Sequence, residues 1–189
     1  MTGRIERAQQ ELDLAVRWTA FPLHPETPDE GRTLEELFAG RGLDIPAVLG
    51  RLKRIAADLG LPFTERRMTY NSRRAQELGK WAEENQRGEE FHRLVFEAYF
   101  GKGLNIAQWD VLRDLATAAG LDPHAAEKVL RQEAFKAAVD QDWQRCRAMR
   151  ITAVPTFHMG GRLLVGAQAY EAIRDLALSA GAVPKNPTL

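Results

Sequence analysis

The chain has 189 residues, enough for one domain with a hydrophobic core or for a small domain that carries a large insertion. Its 26 Lys and Arg residues are balanced by 26 Asp and Glu residues, so the formal net charge is zero. A neutral chain has no general attraction for nucleic acid or for an anionic membrane surface, and we expect neither as a partner. No apolar run suits a membrane-spanning helix or a signal peptide, which predicts a cytoplasmic protein.

The chain contains one cysteine, Cys146, and four histidines. One cysteine cannot form an intrachain disulfide, a CxxC redox pair or a cysteine-rich zinc site. The histidines stand apart, without HxxxH or HExxH spacing. We therefore predict no metal site, and we expect Cys146 to be a small buried core residue.

The first thirty residues predict a helix, a strand and a loop. The helix runs to about Leu12 and has apolar residues at helical spacing, namely Ile5, Ala8 and Leu12. Residues 14–21 alternate between two faces, the pattern of a strand. Prolines at positions 22 and 25 end this strand, and the composition of residues 24–31 predicts a loop.

From residue 33 to about residue 149 the pattern is helical nearly throughout. One helix begins after Asp44 as N-cap and ends at Gly60. This helix carries its apolar residues on one face: Val48, Leu49, Leu52, Ile55, Ala56 and Leu59. Asn71 or Ser72 caps the next helix, and Asp122 followed by Pro123 begins a later one. The last helix of this block covers roughly residues 134–149.

The pattern then changes to a hairpin and a closing helix. Residues 155–159 and 162–166 form two short strands, joined by the turn Gly160-Gly161. A helix with an apolar face follows over residues 169–180. The predicted order is therefore helix, strand, long helical block, hairpin and helix.

Two segments, ITAVPTFHMGGRLLVGAQAYEAIRDLAL at 151–178 and WTAFPLHPETP at 18–28, carry a resemblance to a known family. They resemble the DsbA-like branch of the thioredoxin superfamily, and within it the group of FrnE proteins, 2-hydroxychromene-2-carboxylate isomerases and kappa-class glutathione transferases. AVPTF is similar to the family's cis-proline strand. The resemblance implies an α/β thioredoxin-like fold with a large all-helical insertion. Residues 1–31 and 150–189 would form the thioredoxin-like domain and residues 32–149 the insertion.

The resemblance also implies a set of substrate-binding residues. In thioredoxin-like proteins the main chain before the cis-proline pairs with an extended substrate or with glutathione, which indicates Val154 and Pro155. His24 follows the family's second strand at the pocket end. Asn71 and Ser72 are first of all helix caps and carry over as further pocket residues. The implied partner is a thiol- or disulfide-bearing protein, with glutathione as the alternative ligand and no other cofactor.

One departure from the family concerns the reacting group. Family members begin with a central strand and a turn that carries CxxC, or a serine in the isomerases and transferases. Here the residues after Met1 already resemble the first helix, so the N-terminal central strand and its turn are missing and no catalytic residue is assigned. We expect Met1 to be an internal methionine of a longer protein. In this family the missing strand lies between the strand at residues 15–21 and the strand at residues 156–159. The alternatives are that these two strands pair directly or that another chain occupies the position of the missing strand, and we expect a homodimer.

Three functions remain open. The first is a DsbA- or FrnE-type thiol–disulfide oxidoreductase, inactive or truncated as given, because exchange needs a low-pKa thiolate and a resolving thiol. The second is a glutathione-dependent isomerase or transferase of the same fold. The third is a non-catalytic binding protein that keeps the peptide-pairing edge. The motif WxxFxLHPETP, together with VPTF and GAQ, favours the first.

Overall fold

The computed structural model describes residues 2–185, which form two compact units. The terminal unit comprises Met1–Leu23 and Asp142–Leu189, and the helical unit comprises His24–Gln141. In this division the loop at residues 24–31 belongs to the helical unit. The loop is tied there by the side chains of Asn71 and Asn105, which donate to the carbonyl oxygens of Thr27 and Asp29.

The helices and the hairpin follow the predicted order. The elements are α1 (Thr2–Glu11), β1 (Leu12–Asp13), β2 (Arg32–Thr33), α2 (Leu34–Leu37), α3 (Ile45–Asp58), β3 (Met68–Thr69), α4 (Arg73–Glu84), α5 (Gly88–Phe96), a π-helical turn (Glu97–Gly101), α6 (Trp109–Ala118), α7 (Pro123–Arg131), α8 (Lys136–Ala148), β4 (Thr156–Met159), β5 (Arg162–Val165), α9 (Tyr170–Ser179) and β6 (Val183–Pro184). Within residues 2–185 each strand has one neighbour: β1 pairs with β6, β2 with β3 and β4 with β5.

The core of the terminal unit lies between α1 and α9. The apolar residues predicted at helical spacing on α1 form its inward face, since Ile5, Ala8 and Leu12 are all buried. Ala8 packs with Tyr170 and Ile173 of α9. Partly buried side chains from the hairpin and from residue 14 complete the cluster: Leu14, Phe157, Met159 and Leu164.

The predicted strand at residues 14–21 does not form. The structure has only the two-residue strand β1 before it, paired with β6. Exposure nevertheless alternates along the segment: Leu14, Val16 and Trp18 are half-buried while the residues between them are exposed. The alternation follows from the sequence, but a strand also requires a neighbouring backbone to complete its hydrogen bonds, and none pairs with residues 14–21 here.

The predicted hairpin is confirmed. β4 and β5 pair antiparallel, with Thr156 opposite Val165 and Met159 opposite Arg162. The turn residues Gly160 and Gly161 have φ angles of 53° and 75°. A tight two-residue turn with positive φ at both positions favours glycine because a Cβ would be strained there.

The helical unit has a core built by α4 to α7. Phe91, Leu78 and Leu112 are its largest fully buried side chains. The predicted caps are confirmed at two helices: Asp44 accepts a hydrogen bond from the backbone N–H of Ala47, and Asp122 accepts one from that of His124. Each carboxylate satisfies a donor that the first helical turn leaves unpaired.

The apolar residues of α3 share one face, as predicted, and most of that face is exposed. Val48, Leu52, Ile55 and Leu59 are 42–44% exposed. Only one edge of the helix is covered, with Ile45 buried and Leu49 and Ala56 half-buried. Helical periodicity identifies an apolar face, but it does not identify what covers that face.

Candidate functional site

The backbone around Val154 is the exposed corner of the terminal unit. Val154 precedes β4, the residue is 46% exposed, and the peptide bond to Pro155 is cis. Within residues 2–185 no hydrogen bond uses the N–H or the C=O group of Val154. One backbone donor and one acceptor are therefore available to a partner beside the hairpin.

Side-chain and backbone hydrogen bonds hold this corner in place. The Thr156 hydroxyl donates to the carbonyl oxygen of Ala153 over 2.7 Å, and the Gly166 N–H donates to that of Pro155 over 2.8 Å. The Gln168 side chain donates to the carbonyl oxygen of Val165 over 2.7 Å. The motifs VPTF and GAQ, separated by the hairpin in sequence, thus meet at the same corner.

A buried carboxylate that the sequence analysis missed anchors the segment after β1. Asp142, only 3% exposed, accepts a hydrogen bond from the backbone N–H of Ala20 over 2.9 Å. The Arg17 guanidinium lies 3.7 Å from the same carboxylate. Asp142 occupies a position on α8 that charge alone would place at the surface, so only the fold reveals its role.

Cys146 lies one helical turn beyond Asp142 and is buried, as predicted. Its thiol donates to the carbonyl oxygen of Ala20 over 3.6 Å. Burial, with a further contribution from the Asp142 carboxylate, raises the pKa of the Cys146 thiol. A reactive cysteine needs a lowered pKa and access to its partner, so Cys146 has neither property of a nucleophile.

His24, Asn71 and Ser72 lie in the helical unit. The Asn71 amide donates to the carbonyl oxygen of Thr27 over 2.7 Å, and its oxygen accepts from the N–H of Arg73 over 2.8 Å. Ser72 occupies the N-cap position of α4, but its hydroxyl makes no capping hydrogen bond and accepts instead from the Gln76 side chain. Asn71 therefore provides the cap and also holds the loop that begins at His24.

His24 and the nearby arginines have contacts within the helical unit. His24 Nδ1 lies 3.8 Å from a Glu26 carboxylate oxygen, and its ring meets Phe38 edge-on. Arg73 contacts the carboxylates of Glu77 and Asp140, each at 2.7 Å. These contacts account for the side chains structurally, and the substrate-binding role of His24, Asn71 and Ser72 stays a prediction.

Val154 and Pro155 belong to the terminal unit, whereas His24, Asn71 and Ser72 belong to the helical unit. Among residues 2–185 no three His, Cys, Asp or Glu side chains come together as a metal site. No helix in this part of the chain is long and apolar enough to cross a membrane.

The sequence as a whole matches a family model. The model of the DSBA-like thioredoxin domain matches residues 1–177. The chain belongs to this family. Its fold is the thioredoxin-like DsbA fold, mixed α/β with predominantly helical content, as the sequence predicted.

Similar proteins are found among curated sequences and solved structures. The uncharacterized protein YwbO of Bacillus subtilis is 35% identical over 94 residues. That match covers 46% of this chain and only 44% of YwbO. A probable DsbA oxidoreductase, SCO1869 from Streptomyces coelicolor, is similar over all of this chain and 85% of its own, with a TM-score of 0.86 and 24% identity.

A second solved structure, of a proposed protein disulfide isomerase from Nitrosomonas europaea, is more distant. It has a TM-score of 0.59 and 18% identity over 71% of this chain and 72% of its own. At these identities the two structures support the fold alone.

Proposed function

We propose that this chain binds the extended polypeptide substrate of a DsbA-type thiol–disulfide oxidoreductase, and that the main chain of Val154 pairs with this substrate. The substrate class is a protein that bears a thiol or a disulfide. Within the family we propose the FrnE type, on the strength of WxxFxLHPETP at residues 18–28 and of VPTF with GAQ at the hairpin.

The observation that carries this proposal is the available backbone of Val154. Its N–H and C=O groups have no partner in residues 2–185, while the surrounding corner is held by hydrogen bonds from Thr156 and Gly166. An extended peptide can add to such an edge as a further strand, and the backbone hydrogen bonds then supply affinity with little dependence on sequence.

The proposal assigns binding, and not exchange, to these 189 residues. Dithiol exchange proceeds by attack of a thiolate on a disulfide, and a second thiol then releases the mixed disulfide. The chain has one thiol, and burial raises the pKa of that thiol at Cys146. The purified chain alone is therefore expected not to reduce or oxidise a disulfide substrate.

The test uses an extended peptide that contains an S-methylated cysteine, so that binding is measured without exchange. Nuclear magnetic resonance of the ¹⁵N-labelled chain should show the largest amide shift at Val154. The same peptide with N-methylated backbone amides should bind more weakly by about tenfold or more, because it cannot donate.

A matched pair of variants controls for surface charge. Val154 and Leu163 are 46% and 42% exposed, so aspartate at either position should leave the fold intact. Val154→Asp should weaken peptide binding and Leu163→Asp, further along the hairpin, should not. Peptide binding that is weakened neither by the two variants nor by N-methylation of the peptide would refute the proposal. Binding of glutathione instead of the peptide would favour the isomerase or transferase alternative.

A further inference from the structure

Helix α3 presents an apolar stripe that is left partly exposed in the described chain. Val48, Leu52, Ile55 and Leu59 are each 42–44% exposed on this helix of 14 residues, whereas Ile45, at the N-terminal end of the same row, is buried. Four large apolar side chains in one row exceed the isolated exposed residues of an ordinary surface and mark an interaction site.

The spacing of the stripe is that of a two-helix seam. Its residues follow one another at intervals of four, three and four, which are alternating a and d positions of a heptad. Such a seam matches the apolar row of another helix, because side chains of one helix insert between those of the other.

Two opposite charges flank the stripe on its exposed side. Arg51 and Asp58 are seven residues apart and therefore lie on the same side of the helix, about 10 Å from each other along the axis. They are too far apart to pair within one helix, and neither has a partner in residues 2–185. If α3 of a second copy packed against it in the antiparallel direction, Asp58 of the second copy would lie beside Arg51 of the first. Arg51 of the second copy would likewise lie beside Asp58 of the first.

From this complementarity we infer that α3 pairs antiparallel with α3 of a second copy of the chain. The symmetry axis passes between Leu52 and Ile55, so that Leu52 meets Ile55 of the other copy and Val48 meets Leu59. The same axis places Arg51 of each copy beside Asp58 of the other, at the rim of the seam. A parallel pair would keep the apolar layers but would not bring these charges together.

The size of the seam sets the expected strength. A helix of 14 residues is about 21 Å long, and a contact between two such helices falls in the range of small interfaces. The homodimer should therefore be a weak one, formed at micromolar concentrations and dissociated on dilution. The stripe belongs to the helical unit and Val154 to the terminal unit, and the inference is independent of the proposed function.

Sedimentation equilibrium of the 189-residue chain at low salt, up to about 200 μM, tests the inference in the range expected for a small interface. Leu52→Asp should weaken the dimer by about tenfold or more, since it places a charge in the seam. The control is Leu163→Asp on β5 of the terminal unit, which changes a leucine of similar exposure (42%, against 44% for Leu52) and should have no effect.

A charge exchange tests the direction of the helices. Asp58→Arg or Arg51→Asp alone should weaken the dimer, because each creates two like-charge contacts. The double variant R51D/D58R should restore the association to that of the unmodified chain. A monomer at every concentration, or a dimer that Leu52→Asp leaves unchanged, would overturn the inference. A seam-dependent dimer that the double variant does not restore would overturn the antiparallel arrangement.

Discussion

The Asp142 carboxylate should contribute more to the free energy of unfolding than any exposed ion pair of the terminal unit. It accepts the backbone N–H of Ala20 from a site that is 3% exposed, so Asp142→Ala leaves that donor without this acceptor. Loss of a hydrogen bond to a charged group costs about 1.5–3 kcal/mol. The Arg17 contribution is expected to be small, about 0–1 kcal/mol, because its side chain is 70% exposed and 3.7 Å away.

Urea unfolding followed by tryptophan fluorescence measures the difference, and Trp143 lies next to Asp142 in sequence. We expect Asp142→Ala to lower the free energy of unfolding by about 2–3 kcal/mol and Arg17→Ala by less than about 1 kcal/mol. Asp142→Asn keeps an oxygen acceptor and should fall between the two. If Arg17→Ala proves as destabilising as Asp142→Ala, then the ion pair and not the backbone hydrogen bond is the main contribution.

Three further outcomes are expected. Asn71→Ala removes both the cap of α4 and the hydrogen bond to the Thr27 carbonyl, and should lower the free energy of unfolding by about 1–2 kcal/mol. Ser72→Ala is the control and should lower the free energy of unfolding by less. Equal losses for the two variants in urea titrations would contradict the capping role of Asn71. Cys146 should react with a disulfide reagent far more slowly in the native chain than in the unfolded chain. It should also need a higher pH than a free cysteine, because its pKa is raised. Fast labelling of the native chain at neutral pH would refute this expectation. Burial lowers the pKa of His92 to about 4 from 6.5, so the unfolded chain takes up its proton first as the pH falls between these values. Stability should therefore decrease by about 2 kcal/mol from pH 7.5 to pH 5 through this residue. His92→Gln should remove that part of the pH dependence of the urea midpoint, and an unchanged slope would contradict the assignment.

Local patterns predicted the hairpin, the helix caps and the apolar face of α1. These features depend on residues close in sequence: Gly160-Gly161 for the turn, Asp44 and Asp122 for the caps. The resemblance in residues 151–178 predicted the family, which the family model bears out. The substrate-binding role of Val154 and of the other site residues remains a prediction.

The features that the sequence could not predict all depend on partners distant along the chain. The row of exposed and half-buried residues at 14–21 was predictable, but a strand exists only where another backbone completes its hydrogen bonds. Asp142 looks like any surface carboxylate until the fold places the N–H of Ala20 beside it.

The sequence by itself determined the order of the helices, the turn, the caps and the apolar character of each helix face, because these follow from interactions within a few residues. The tertiary structure alone decided which apolar faces are covered. The stripes of α1 and α3 have the same periodicity, yet Leu12 is buried whereas Leu52 is 44% exposed. Burial is a property of what lies opposite a side chain, and helical spacing specifies only the side on which a partner is needed.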